Sequence, residues 1–228
     1  MNFLFKKLAD LFIKPFLLFY LKRKRTYRYK GFQLSVFPGV FHPGLFFSTK
    51  LLADFVDRLP LAHKKFCEPG TGAGLVSLTA LRKGALVTAF DINREAVKNC
   101  KENFNINKKY FSSNNSFELY ESDLFDQIPE QIFDFVVVNP PYFFKDPVDA
   151  PARAWYAGAE GEYFTKFFCQ VKKYTNKDSQ IYMILGDNCD LERIEALAVK
   201  EQFVFTLVYK KKVWWEENLI FKIEQNCC

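Results

Sequence analysis

The sequence predicts an α/β fold: a mostly parallel sheet of seven strands, covered by helices on both faces and closed by a C-terminal antiparallel hairpin. Three observations point to it. Beyond residue 60, short apolar runs alternate with segments of helical periodicity, the pattern of strands buried between helices. The first of these runs passes through a glycine-rich turn straight into a helical segment. The last two runs have no helical segment between them, only Lys210-Lys-Lys-Val-Trp-Trp-Glu-Glu217, so they pair as a hairpin.

In chain order, a helix fits residues 48–58, ahead of the first strand at 64–68. The glycine turn opens a helix over 74–83, and Leu86-Val-Thr-Ala-Phe-Asp91 is the second strand. A helix over 94–104 follows, then a strand at 117–122 and the continuously apolar strand at 133–138. Residues 160–174 repeat their aromatic and aliphatic side chains at helical spacing, 180–185 is apolar throughout, and 190–201 is again helical. Strands at 203–210 and 218–224 complete the sheet.

The chain has 228 residues, 49% of them hydrophobic and 25% charged, enough for one sizeable core and outside the range of disordered chains. Its net charge of +6 is uneven: residues 1–30 alone carry +8, and the remainder sums to −2. This reads as a near-neutral domain over 36–228 behind a basic, amphipathic N-terminal extension over 1–35. Lys6, Lys7, Asp10 and Lys14 interrupt the apolar residues of that extension well short of the roughly 18–20 needed to span a bilayer, and no small-residue cleavage site follows. What remains is an amphipathic helix bent near Pro15, which either packs on the domain or meets a membrane surface or partner. Residues 22–30 then place six bases and two tyrosines in nine positions, as a solvated linker or a strip that tracks phosphates and stacks on bases. The six cysteines contain no C-x-x-C and there are two histidines, so the spacing offers no metal ligand set and fits a reducing, cytoplasmic setting.

Three motifs bear the chemistry. In Phe66-Cys-Glu-Pro-Gly-Thr-Gly-Ala-Gly-Leu75 a strand ends at Glu68, and Gly70, Thr71, Gly72 and Gly74 lead into a helix, letting backbone approach a ligand. Leu75 stands where a dinucleotide-binding loop needs its third glycine, which argues against NAD and FAD. Asp91 ends the second strand, 21 residues beyond Gly70, where such sheets place an acid that accepts from both ribose hydroxyls; Asp91 or Asn93 as a helix cap is the alternative. Ile92 can pack on an adenine ring whose amino group donates to Asp123, unless Asp123 is a plain turn acid. The third motif is the most specific: a buried strand stops at Asn139, Pro140, Pro141 and Tyr142. The two prolines cannot donate ladder hydrogen bonds and hold the backbone extended at the sheet edge. The Asn139 side-chain oxygen and the Pro140 carbonyl can then accept from one planar –NH2 group while Tyr142 stacks on it. Such a site suits methylation of an amide or aryl amine by positioning and electrostatics, with no dedicated base.

In order and spacing, Glu68 to Gly74, Asp91 and Asn139 to Tyr142 resemble the class I S-adenosylmethionine-dependent methyltransferases over about residues 36–224. The resemblance implies a Rossmann-like, seven-stranded methyltransferase sheet with S-adenosylmethionine as cofactor and no metal. Within that superfamily the N-P-P-Y tetrapeptide is similar to the amino-group branch, which includes release-factor glutamine N5-methyltransferases and adenine-N6 and guanine-N2 enzymes. By resemblance, Glu68 and the Gly70–Gly74 loop hold the methionyl part, Asp91 the ribose, Asp123 the adenine, and Asn139 to Tyr142 the target nitrogen. Val40 to Leu52 resembles the proline-plus-Thr segment of the glutamine enzymes, with Thr49 as the matching residue, and Ala157 to Tyr163 their glycine-rich helix opening. The roughly 35 residues ahead of the match are fewer than the helical bundle with which those enzymes grip a release factor. That shortfall counts against the release factor itself and equally admits an RNA enzyme reading an unstacked base, with Tyr142, Phe143 and Trp214 or Trp215 supplying the stacking; a protein glutamine, with a translation release factor as the model substrate, stands slightly ahead of an RNA or DNA adenine or guanine. A non-catalytic protein of this fold, binding RNA or a membrane surface through residues 1–30, is the competing class.

Overall fold

The computed structural model describes residues 23–112, 115–213 and 216–226. The amphipathic segment expected over 1–22 and both Trp214 and Trp215 lie outside them. Seven strands form one sheet: β3 (Lys65–Pro69), β4 (Leu86–Asp91), β5 (Phe117–Glu121), β6 (Phe135–Val138), β7 (Gln180–Gly186), β8 (Phe203–Val213) and β9 (Glu216–Gln225). Their spatial order is β5-β4-β3-β6-β7-β9-β8, with β9 antiparallel to both β7 and β8 and every other pairing parallel. This is the expected Rossmann-like methyltransferase architecture.

Helices α1 (Phe47–Val56), α2 (Leu75–Arg82) and α3 (Arg94–Asn107) cover one face. They bury Leu52, Val56, Leu78 and Leu81 against Phe66, Val87 and Ile184 of the sheet. On the other face lie α4 (Glu162–Val171) and α5 (Leu191–Lys200). There Phe164, Phe167, Phe168 and Val171, at the i, i+3, i+4, i+7 spacing of one helical stripe, meet Phe90, Val136, Met183 and Ile194. β6 is buried along its whole length because helices cover both its faces, which is why its sequence does not alternate.

One element departs from the sequence reading. Residues 25–36 form a hairpin of β1 (Arg25–Tyr29) and β2 (Phe32–Val36), so the boundary drawn at residue 35 falls inside its second strand. Lys30 and Gly31 both have positive φ, as a two-residue turn of this hand requires. Residues 25–30 are thus neither a solvated linker nor a base-stacking strip. Tyr29 donates to Asp54 Oδ1 at 2.7 Å, Tyr27 packs edge-on to His42, and Lys30 pairs with Asp54 at 2.7 Å.

A ladder of asparagines attaches this hairpin to the domain. Asn99, Asn103 and Asn107 lie four residues apart on one face of α3, all buried. Their amides replace a neighbouring strand: Phe37 N donates to Asn99, Ser35 N to Asn103 and Gln33 N to Asn107, at 2.7–3.0 Å. In return the amide nitrogens donate to the carbonyls of Ser35 and Gln33, and Asn103 also to Ala73 in the glycine loop at 2.8 Å. Buried backbone groups at a sheet edge need partners, and α3 supplies them as side chains.

Candidate functional site

Strand order reverses between β3 and β6, and a crevice opens beyond the carboxyl ends of strands at such a point. Here it is a cavity of about 410 Å³. Of the residues singled out in the sequence, Glu68, Gly70, Thr71, Gly72, Asp91, Ile92, Asp123, Asn139, Pro140, Pro141 and Tyr142 all line it. Gly74 does not. It caps α2 at φ +85°, and a Cβ there would meet Cys100 Sγ at 2.6 Å, so its missing side chain admits α3 rather than a ligand. At Gly70, with φ +72°, a Cβ would meet nothing within 4 Å: the space in front of it is open cavity.

The loop is tied down from beneath. Gly70 N and Thr71 N both donate to Phe90 O, at 2.8 and 3.0 Å, which joins the ends of β3 and β4. Glu68 Oε2 accepts from Thr71 Oγ1 at 3.1 Å, from Ser77 N at 2.8 Å and from Ser77 Oγ. Burial outweighs these donors and pushes the Glu68 carboxyl up to about 8. Asp91 accepts from Gly72 N at 3.0 Å and from Asn93 N at 2.9 Å, with burial again raising its pKa. The cap of α3 falls to Asn93, whose Oδ1 accepts from Glu95 N, so Asp91 is not used as a helix cap. Asp123 pairs through Oδ2 with Lys166 of α4 at 2.7 Å.

At the end of β6, Asn139 donates through Nδ2 to Ser48 Oγ and Thr49 Oγ1 of α1, both at 3.2 Å. With the amide nitrogen so engaged, Oδ1 remains as an acceptor. Among the described residues no hydrogen bond ends on the Pro140 carbonyl. Tyr142 follows, its ring edge-on to Phe143 at 5.0 Å. Its phenol is pushed up to about 12, by burial first and then by the carboxylate of Glu216 and by Cys189 and Asp187. A Cβ at Gly186 would lie 3.5 Å from both Tyr142 OH and Glu216 Oε1, which puts Glu216 beside the tyrosine's outer edge.

Sequence reasoning missed several lining residues. Phe41 and Trp155, 4.9 Å apart, form one wall from loops that follow β2 and β6. Ser48, Tyr163 and Lys166 also line the cavity, each brought there by a helix. Phe41, Ser48 and Tyr163 fall inside the stretches 40–52 and 157–163 already matched by resemblance, whereas only their position in the fold marks out Trp155 and Lys166. Among the described residues no group of three or more His, Cys, Asp or Glu side chains is placed to hold a metal, and no helix is long and apolar enough to cross a membrane.

Comparison with known proteins decides the family. The model of the methyltransferase small domain matches residues 32–185. The chain belongs to this family. It is an S-adenosylmethionine-dependent methyltransferase. The cavity fits that cofactor: open space faces Gly70, and the carboxylates of Glu68, Asp91 and Asp123 line it. A Methanocaldococcus jannaschii protein, provisionally named a protein N5-glutamine methyltransferase, is 29% identical over 201 residues, covering 84% of this chain and 94% of its own. Two solved structures share the fold. The E. cuniculi Mtq2–Trm112 complex, responsible for methylation of the eRF1 translation termination factor, has a TM-score of 0.59 at 21% identity, covering 82% of this methyltransferase and 99% of that chain. The T. thermophilus 16S rRNA N2 G1207 methyltransferase, in complex with AdoMet and guanosine, has a TM-score of 0.61 at 18% identity, covering 88% and 50%.

Proposed function

We propose that this methyltransferase modifies the side-chain amide of a glutamine in a protein substrate of the release-factor kind, in the cytoplasm. The observation that supports it best is the anchoring of Asn139. Its own –NH2 is held by Ser48 and Thr49, which directs an acceptor oxygen to the incoming group. When bound, S-adenosylmethionine supplies an electrophilic methyl group on a sulfonium. Asn139 Oδ1 and the Pro140 carbonyl accept the two N–H groups of the target amide, and Pro141 keeps that carbonyl in place. Tyr142 stacks on the amide plane. Two acceptors favour pyramidal nitrogen and localise its lone pair toward the methyl, a stabilisation realised as the transition state forms. In the same reading Glu68 and the Gly70–Gly72 loop hold the methionyl part, Asp91 the ribose, and Ile92 and Asp123 the adenine.

A protein is favoured over RNA by the surroundings of Tyr142. Asp187 and Glu216 beside it repel a phosphate backbone. The tyrosines of residues 25–30, which would have stacked on bases, are used in packing. The relative provisionally named a glutamine methyltransferase is matched over nearly its whole length.

The test is transfer of radiolabelled methyl from S-adenosylmethionine into an extract of cells lacking this protein, followed by separate protease and nuclease digestion. Label in one protease-sensitive band, absent with Asn139→Ala although that variant still binds cofactor, is the expected result. Label removed by nuclease alone moves the assignment to a nucleic-acid base. Full turnover by Asn139→Ala refutes the role given to the asparagine.

A further inference from the structure

The loop that follows β5 is held in an unfavourable shape. Leu124, buried and lining the cavity, has φ +52°, a conformation costly for any residue with a side chain and kept only where the surroundings impose it. Lys166 and Gln170, one helical turn apart on α4, both reach across to this loop. Lys166 Nζ meets Asp123 Oδ2 and Asp126 Oδ2, each at 2.7 Å. Gln170 Nε2 donates to Asp126 Oδ1 at 2.6 Å, and Gln170 Oε1 accepts from Phe125 N at 3.0 Å. Within the loop, Ser122 Oγ donates to Leu124 O at 2.7 Å and accepts from Gln127 N at 3.0 Å. The chain is thus pinned on both sides of its strained residue.

This clamp settles what Asp123 offers to a ligand. Asp123, Leu124 and Lys166 all line the cavity, and the Asp123 side chain is half-exposed. A carboxylate so placed turns freely unless something holds it. Lys166 occupies Oδ2, and among the described residues Oδ1 has no partner, so one oxygen is fixed and the other is available. Ion pairs this exposed add little to stability, which leaves orientation as the consequence of the bridge. Orientation matters to a purine. Adenine presents an amino donor at C6, whereas hypoxanthine presents a carbonyl there with an N1–H beside it. A mobile carboxylate can shift to the N1–H of hypoxanthine. A carboxylate held in place meets the carbonyl instead, acceptor against acceptor.

We propose that Lys166 is a positioning residue for cofactor recognition: it holds the Asp123 carboxylate on the adenine amino group and thereby sets a preference for adenine over hypoxanthine. The proposal rests on the assignment of S-adenosylmethionine to the cavity and of Asp123 to its adenine, and extends both to a residue outside the sequence motifs. A site built to pair a donor rejects the analogue lacking it because its own polar group is left unpaired.

Calorimetric titration of the cofactor-free full chain with S-adenosylhomocysteine and S-inosylhomocysteine tests it, on wild type, Asp123→Asn, Lys166→Met and Lys166→Arg. Wild type is expected to prefer the adenosyl compound by at least about 10-fold. Lys166→Met is expected to bind the adenosyl compound about 10-fold more weakly and the inosyl compound no more weakly than wild type, so that the preference disappears. Lys166→Arg, which can still bridge Asp123 and Asp126, is expected to restore most of it. Retention of the wild-type preference by Lys166→Met overturns the proposal, including the case in which both affinities fall by one common factor, which marks a packing role. Equal binding of the two compounds by wild type, or an unchanged preference in Asp123→Asn, overturns the underlying assignment of Asp123 to the adenine. Failure of wild type to bind S-adenosylhomocysteine at all sinks the cofactor assignment itself.

Discussion

Replacing Glu68 by glutamine should change how the protein's stability responds to pH. The carboxyl is buried, and its pKa is moved from an ordinary 4.5 to about 8 although three donors converge on Oε2. Between those two values the folded chain keeps the proton and the unfolded chain releases it. The contribution of a raised acid is thus fully present below pH 4.5 and is lost as pH climbs toward 8. Each unit within the window corresponds to about 1.4 kcal/mol, so wild type should lose roughly 3–4 kcal/mol between pH 5 and 8 through this residue alone. Glu68→Gln keeps an acceptor for Ser77 and Thr71 and has nothing to titrate. Asp91 and Glu216, also raised by partial burial, shift the same way and titrate in both proteins, so the difference between the two curves isolates Glu68. Thermal unfolding of the cofactor-free chain from pH 5 to 8 reads it directly. The two melting temperatures should diverge by roughly 10 °C in favour of Glu68→Gln as pH rises. Parallel curves would show that Glu68 is already ionised at neutral pH and that its three hydrogen bonds outweigh burial.

Removing the hydroxyls that hold Asn139, with Ser48→Ala and Thr49→Val together, should lower kcat roughly 100-fold, because a reacting group misplaced by about 1 Å costs that much; cofactor affinity measured by calorimetry should change far less than kcat. Gly70→Ala and Gly74→Ala should fail in different ways. The first puts a methyl group into the cavity and weakens cofactor binding at least 10-fold, whereas the second collides with Cys100 and lowers the unfolding free energy by roughly 2–3 kcal/mol in urea denaturation. Asn103→Leu leaves Ser35 N and Ala73 O without their partner and should cost roughly 2–4 kcal/mol in the same assay. Because Ala73 lies in the glycine loop, cofactor affinity should fall with it.

The alternation of strands and helices was legible because each element repeats its own pattern over a few neighbours. Strand β4 falls at 86–91 as expected, and the closing hairpin at 203–225 follows from the missing helix between its strands. The first hairpin was hidden by its basic residues. Tyr27 and Tyr29, then Phe32 and Leu34, alternate across Lys30-Gly31 as a hairpin should, but Lys22 to Lys30 reads first as a charge run. What hid it was the pairing of those charges with Asp54, Asp57 and Glu102, from helices far along the chain.

The sequence by itself determined the sheet, the family resemblance, and the placing of Glu68, Asp91 and Asn139 at the carboxyl ends of strands. These are local properties: an apolar run, a glycine spacing and two consecutive prolines restrict the backbone wherever they occur. The tertiary structure alone decided what each side chain faces. Gly70 and Gly74 are both forced to positive φ, yet one opens on the cavity and the other on Cys100. Ser48 and Asn139 lie 91 positions apart and meet because α1 packs over the end of β6. Tyr163 reaches the cavity wall because α4 crosses the opposite face of the sheet. Contacts of that kind arise from packing between distant segments, and no period along the chain encodes them.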